Sequence, residues 1–288
     1  MSPRLRFEFV PGYFEHDGHP TGPEGGFRAT TLPALGIIQQ DYQDQAFTAG
    51  DQDTQWQRLE KHLAVLNAAP QGCRHKVFFV TRHGEGVHNV KEREVGRHEW
   101  EAHWARLSGD EKTTWLDARL TSKGKQQAQD LRSFWLHASQ VDKVPLPQTI
   151  YSSPLIRALQ TTSLAFQDIP ELRFEPIIKE SLREITGIHT CDKRSSKPSI
   201  EAEFPEYQIE SGMTEEDTRW KFDRRETLTE RVEVINNFLA EVFSEDSSTF
   251  ISLTTHSGAI RALYQAIGHP DVWVAAGAVV PIAIKRNS

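Results

Sequence analysis

The chain has 288 residues, of which 38% are hydrophobic and 25% charged, with a formal net charge of −7. This is an ordinary globular composition, long enough for a sizeable core, and its acidity argues against a general nucleic-acid binder, which carries a basic footprint. No apolar run reaches signal-peptide or membrane-span length, and Cys73 and Cys191 fit neither a disulfide framework nor a metal-ligand spacing. The expectation is a cytoplasmic protein with reduced thiols and no membrane partner.

Residues 11–50 are rich in Gly, Pro, Asp and Gln, and "HDGHPTGPEGG" marks a loop. Trp56, Leu59, Leu63 and Leu66 recur at helical spacing, which predicts a helix over 53–67, broken by "APQG" at 69–72. Residues 1–72 read as an extension packed on the main domain, so that one domain covers 1–288 with its core over 76–285.

From residue 76 helices and strands alternate. "KVFFVT" (76–81) is a buried strand, and "LTSKGKQQAQDLRSFWLHA" (120–138) a helix with Thr121 or Ser122 as its N-cap. "QTIYSS" (148–153) is a second strand, followed past Pro154 by the helix "LIRALQTTSLAF". "LRFEPIIKE" (172–180) reads as a third strand and 226–243 as a long amphipathic helix. "TFISLTTH" (249–256) is a fourth strand, leading into the helix "SGAIRALYQAIG". "AVVPIAIK" (278–285) is a fifth, with Pro281 pointing to an edge or bulge. This alternation predicts an α/β sandwich with a largely parallel sheet. Ligands gather at the carboxyl ends of such strands. Arg82-His83, Ser152-Ser153 leading to Arg157, and His256-Ser257-Gly258 all fall there.

"VTRHGEGVHN" therefore carries the question of function. A dinucleotide fingerprint fails, because Asn89 holds the third glycine position. A metal site fails too: His83 and His88 are five apart, and His16, His19, His98 and His103 read as solvated surface histidines. A nucleophilic histidine uses more of the chain. It would attack phosphorus unprotonated, its ring fixed by a hydrogen bond from the other nitrogen. The phosphoryl oxygens call for fixed cations, and the arginine fork suits them. Arg82 adjoins the histidine, and Arg157 opens a helix after a parallel strand. His256 precedes Ser257-Gly258 at a helix N-terminus, whose N–H groups can hold an anion. The leaving oxygen needs an acid, and Glu184 after the third strand is well placed, with Glu85 and Glu180 as alternatives.

"TRHGEGVHN" resembles the Arg-His-Gly-Glu signature of the histidine phosphatase superfamily, specifically its first, phosphoglycerate-mutase-like branch. "LTSKGKQQA", "YSSPLIRALQT", "LREITG" and "THSGAIRAL" continue the likeness in order, over residues 76–268. "CDKRSSKPSIEAEFPEY" (191–207) is similar to a fungal and plant subgroup of that branch. The resemblance implies a three-layer α/β/α sandwich, no metal and no cofactor. It implies that His83 accepts the phosphoryl group, that Arg82 and Arg157 hold its oxygens, and that His256 completes the pocket. Asn89 would contact phosphate and Glu184 would donate the proton. The expected activity is hydrolysis of a small phosphorylated metabolite through a phosphohistidine. A phosphoglycerate-mutase-type transfer and a non-catalytic phospho-ligand module are the alternatives. Lys193, Arg194 and Lys197 are expected in a solvated, mobile loop, with Arg194 as a further substrate contact. Trp100, Trp104 and Trp115 are expected to pack in a lid segment.

Overall fold

The apolar run at 77–80 is a strand because both of its faces are covered. The computed structural model describes residues 6–18, 28–42, 52–69 and 73–287. Among them seven strands form one sheet: β1 (Phe7–Phe9), β2 (Arg74–Arg82), β3 (Thr149–Ser152), β4 (Ile177–Ile178), β5 (Gln208–Ile209), β6 (Phe250–Thr255) and β7 (Val279–Arg286). Their order is β1-β7-β2-β6-β3-β4-β5. From β2 to β5 every neighbouring pair is parallel, and β7 runs antiparallel to both β2 and β1. Phe78 and Val80 enter one hydrophobic cluster while Val77 and Phe79 enter another, the period-two alternation of a strand covered on both sides.

Among the described residues eight α-helices accompany the sheet: α1 (Gln55–Ala68), α2 (Val87–Val95), α3 (Arg97–Ala102), α4 (Ser122–His137), α5 (Ile156–Phe166), α6 (Lys197–Glu203), α7 (Leu228–Glu245) and α8 (Ser257–Ile267). α7 and α8 bury their apolar sides in the cluster of Phe78 and Val80. α1, α4 and α5 bury theirs in the cluster of Val77 and Phe79. The result is the expected three-layer sandwich. Trp56, Leu59 and Leu63 of α1 sit in the same cluster as Trp135 of α4, so the segment before β2 completes this layer. Thr121, not Ser122, caps α4, and Thr227 closes a capping box with Glu230 at the start of α7.

Several elements differ from expectation. The third strand shrinks to Ile177–Ile178, because the chain pairs with β3 and β5 only at those two residues. β1, α2, α3, α6 and β5 were not foreseen; all are short. The segment before the first core strand also supplies a strand, β1, which pairs with β7 only at Ile284–Arg286. Pro281 lies beyond that pairing, where β7 has a strand on one side only, so the edge expectation holds. His19 and most of "APQG" lie outside the described residues. No helix among the described residues is long and apolar enough to cross a membrane.

Candidate active site

Strand register sets the site. Arg82 in β2 pairs with Thr255 in β6, and Ser152 in β3 pairs with Thr254. The next residues, His83, His256 and Ser153, therefore leave three neighbouring strands side by side. The ladder continues one step, with His83 N–H donating to Thr255 O and Ser153 N–H to Thr254 O, each at 3.0 Å. The His83 and His256 rings end 4.9 Å apart. The turn after His83 lies backbone against backbone on α4: a Cβ on Gly84 would sit 2.4 Å from Gly124 O. A side chain there would push the turn off the helix.

His83 is 3% exposed. Its Nδ1 lies 2.7 Å from Gly84 O, which can only accept, so Nδ1 carries the proton. Nε2 keeps its lone pair and accepts from Arg157 Nε–H at 3.2 Å. Burial, then the Arg157 and Arg82 guanidiniums, hold the imidazole well below its ordinary range. The ring is neutral at physiological pH, as a nucleophile requires.

Arg157, in the first turn of α5, is 1% exposed. It also donates to Cys191 O at 2.6 Å and to Asp192 at 2.8 Å. Asp117 caps α5 by accepting from Ile156 N–H at 3.0 Å, which fixes the turn that carries Arg157. Arg82 donates to Val274 O at 3.0 Å, while its buried Nε has no partner among the described residues. Burial, then the charge of Arg28, lowers Arg82 to about 10. A buried donor left unpaired beside a second cation favours an anion.

His256 Nε2 lies 2.8 Å from Ser153 Oγ, and its buried Nδ1 has no partner among the described residues. His88, considered from sequence only as a metal ligand, packs 5.7 Å from His83 with its Nδ1 likewise unpartnered. Burial, then Arg157, holds both rings well below the ordinary imidazole value. Asn89 sits in the first turn of α2, accepts from Gly86 N–H at 3.0 Å through Oδ1, and lines the cavity. That cavity, about 150 Å³, is lined by His83, Arg82, Arg157, Asn89, Glu184 and Ser257 among others.

Glu184 is bound at the start of α8. Its Oε1 accepts from Ile185 N–H at 2.8 Å, and its Oε2 accepts from Gly258 N–H at 3.0 Å and Ser257 Oγ–H at 3.2 Å. This corrects the reading of Ser257-Gly258 as a free anion cradle: the Glu184 carboxylate already occupies it, satisfying the helix end. Of the alternative acids, Glu85 pairs with Arg93 and Lys123, and Glu180 with Arg183, Arg194 and Arg219; neither lines this cavity.

The 191–197 segment is not a solvated loop. Arg194 is 3% exposed, and its guanidinium is used up by Glu180 and the carbonyls of Ser195, Thr214, Glu215 and Glu216. It does not line the cavity, and its buried charge is already paired, so it is not free to meet a substrate. Lys193 stacks on Trp220 at 5.2 Å, and Lys197 begins α6 and pairs with Glu201 at 3.8 Å. His16 is also buried, with its Nε2 on Thr30 O at 3.1 Å, whereas His98 and His103 are exposed as expected. Trp100, Trp104 and Trp115 pack on one another beside α2.

Sequence reasoning missed Arg28, Glu92, Arg97, Glu101, His189, Asp192 and Arg225, all lining the cavity. Asp192 falls in the 191–207 stretch, where sequence alone gives it no role, and the others lie in no recognisable motif. Among the described residues His189, Cys191 and Asp192 are the one group whose atoms could surround a metal ion. They make a poor cation site. Burial opposes ionisation of Asp192, but Arg225 and Arg157 outweigh it and keep the carboxyl below its usual range. Burial also pushes the Cys191 thiol well up, away from the thiolate a metal binds. A cation there would meet two guanidiniums.

A parallel sheet with a neutral buried histidine and two arginines at its carboxyl edge defines a site built to hold an anionic group against an imidazole. The chain belongs to the histidine phosphatase superfamily (branch 1), whose sequence pattern matches residues 78–274. It is 39% identical over 98% of its length to a protein of Arthroderma benhamiae named "Probable phosphoglycerate mutase", covering 85% of that protein. A Saccharomyces cerevisiae protein with the same style of name is 32% identical, with 96% of this chain and 95% of that one covered. A "Probable phosphatase" of Schizosaccharomyces pombe is 26% identical over 70% of this chain and 83% of its own. Among solved structures, phosphoglycerate mutase from Thermus thermophilus aligns over 71% of this chain and 91% of its own, with 24% identity and a TM-score of 0.39.

Proposed function

We propose that the chain is a phosphomonoester hydrolase acting on a small phosphorylated substrate through a phosphohistidine at His83. The observation that carries this reading is the state of His83: Nδ1–H is held by Gly84 O and the Nε2 lone pair faces Arg157. In the first step Nε2 attacks phosphorus and the ester P–O bond breaks. Glu184 acts as the general acid and delivers a proton to the leaving oxygen. Arg82, Arg157 and Asn89 hold the phosphoryl oxygens, with donors in place before the reaction begins. In the second step water attacks phosphorus, Glu184 takes the water proton, and the N–P bond breaks. Phosphate leaves and His83 is neutral again.

A mutase shares the first step and returns the phosphoryl group to a second hydroxyl. That demands exclusion of water from the phosphohistidine. Here the cavity adjoins a hollow of about 540 Å³ lined largely by charged side chains, through which water would reach the phosphohistidine once the leaving group has departed. The 191–197 segment, ordered by Arg194, is not that route.

Product analysis with 3-phosphoglycerate and several sugar and nucleotide monophosphates tests the proposal. Free phosphate without isomerised product is expected. Rapid interconversion of 2- and 3-phosphoglycerate with little phosphate released establishes the mutase instead. Binding without turnover of any ester establishes the non-catalytic module.

A further inference from the structure

Two cavities meet at Arg82. The inner one, holding His83, is about 150 Å³, below the roughly 300 Å³ at which small-molecule pockets begin. The outer one is about 540 Å³. Arg28, Arg82, Asn89, Glu92 and Arg97 line both. A substrate that puts its phosphoryl group against His83 must therefore place its remainder among these side chains.

Their charges are not equally satisfied. Arg93 and Lys123, which line only the outer hollow, share Glu85 at 3.0 and 3.5 Å. Arg97 faces Glu101 at 3.5 Å. Arg28 forms no ion pair with any described residue. Its charge acts instead on Arg82, whose proton affinity it lowers, while Glu184 and Glu92 oppose it more weakly. Two like charges so placed repel unless an anion joins them.

Arg28 is also held in place. Ala29 N–H donates to Trp273 O at 2.7 Å, and Ala275 N–H donates to Ala29 O at 2.9 Å. Val274, between those two residues, accepts from Arg82 through its carbonyl at 3.0 Å. One short loop thus ties both arginines together. The Arg28 guanidinium lies over the Trp273 ring, 5.6 Å from its centre. That contact positions the group and leaves its N–H fork for an anion.

Resting on the hydrolase reading above, we propose that Arg28 is a specificity-determining residue that binds a second anionic group, phosphate or carboxylate, on the leaving-group side of the substrate. The substrate class is then phosphomonoesters that carry a further negative charge, not simple alkyl phosphates. Arg28 precedes residues 78–274, the segment matching the family. The N-terminal segment therefore adds a substrate contact outside that match.

Two substrate pairs, each differing by one anionic group, read this subsite: fructose 1,6-bisphosphate against fructose 6-phosphate, and 3-phosphoglycerate against glycerol 3-phosphate. The wild-type kcat/KM favours the more charged member of at least one pair, and the responding pair tells phosphate from carboxylate. Arg28→Gln, at an exposed position, lowers that preference roughly tenfold, the size of one lost charged hydrogen bond. No preference in either pair, or a preference unchanged in Arg28→Gln, overturns the proposal. Calorimetric titration of the same four compounds into His83→Ala, which cannot form the phosphoenzyme, separates this result from failure of the hydrolase reading. There the more charged partner binds more tightly, and Arg28→Gln in that background erases the difference. Equal affinities refute the subsite even where phosphate release is seen. Unequal affinities in a protein that turns over no ester uphold the subsite and refute the hydrolase.

Discussion

Replacing Glu184 by glutamine perturbs the proposed proton donor and the start of α8 together, and the two effects separate by substrate. Oε1 accepts from Ile185 N–H, and Oε2 from Gly258 N–H and Ser257 Oγ–H. A glutamine can turn its oxygen to one side only, so its NH₂ meets at least one backbone N–H. The carboxylate lies directly against the Gly258 backbone, where a Cβ would come within 1.9 Å of Oε1. One donor left unpaired costs about 1–3 kcal/mol. Losing a carboxylate at the N-terminus of α8 adds about 0.3–1 kcal/mol. A melting temperature lower by roughly 2–10 °C follows for a chain of this size. The rate is measured well below that temperature. Hydrolysis of an alkyl phosphate slows by about 10²–10⁴-fold, the usual worth of a general acid. Hydrolysis of 4-nitrophenyl phosphate changes little, since its leaving group departs unprotonated. Equal loss on both substrates refutes the reasoning and shifts the role to Glu92 or Glu101, which line the same cavity.

Two further outcomes follow from the same geometry. Arg157→Lys keeps the charge but cannot span Cys191 O, Asp192 and His83 Nε2 with one ammonium; kcat falls about 10²–10³-fold, the cost of one lost preorganised donor, and a steady-state loss under about fivefold contradicts the pocket as described. His83, His88 and His256 are all held well below the 6.5 of a free imidazole, burial being the largest cause in each. Between those folded values and 6.5 the unfolded chain binds more protons, so stability is fully present above that pH and falls as pH drops through it, by up to about 4 kcal/mol per pH unit for three such rings. Urea unfolding between about pH 7.5 and 5.5 measures the slope, and a flat profile contradicts three buried neutral histidines.

The parts of the site that sequence reveals are those fixed by strand register. Arg82, His83 and His256 follow directly from β2 and β6, whose apolar runs and parallel pairing are visible in the order of residues. Arg157 follows from a helix that starts where β3 ends. Period and sequence order say nothing about long loops. Glu184 was legible as a residue of interest, but its bonds to Gly258 and Ser257 come from the packing of a loop after Glu180 on α8. Asp192 reaches Arg157 across 35 residues of chain, and Asp117 caps α5 from 39 residues upstream. Nothing local distinguishes either from a surface carboxylate. Arg194 misled for the converse reason: a cluster of cations in a Ser/Pro-containing stretch reads as solvated, while Glu180 and four carbonyls, most of them from a distant turn, bury it. Arg28 sits beside a Gly/Pro-rich segment with no periodic pattern, and only the bridge between Ala29 and Val274 brings it to the cavity.

Mapping the covalent intermediate tests the central claim most directly. The protein is incubated with a radiolabelled phosphate ester, quenched in alkali, digested and analysed by mass spectrometry. The geometry of Nε2 predicts label on His83 and nowhere else, and none in His83→Ala. Label on His256 or His88, or turnover of the ester by His83→Ala at the wild-type rate, contradicts it.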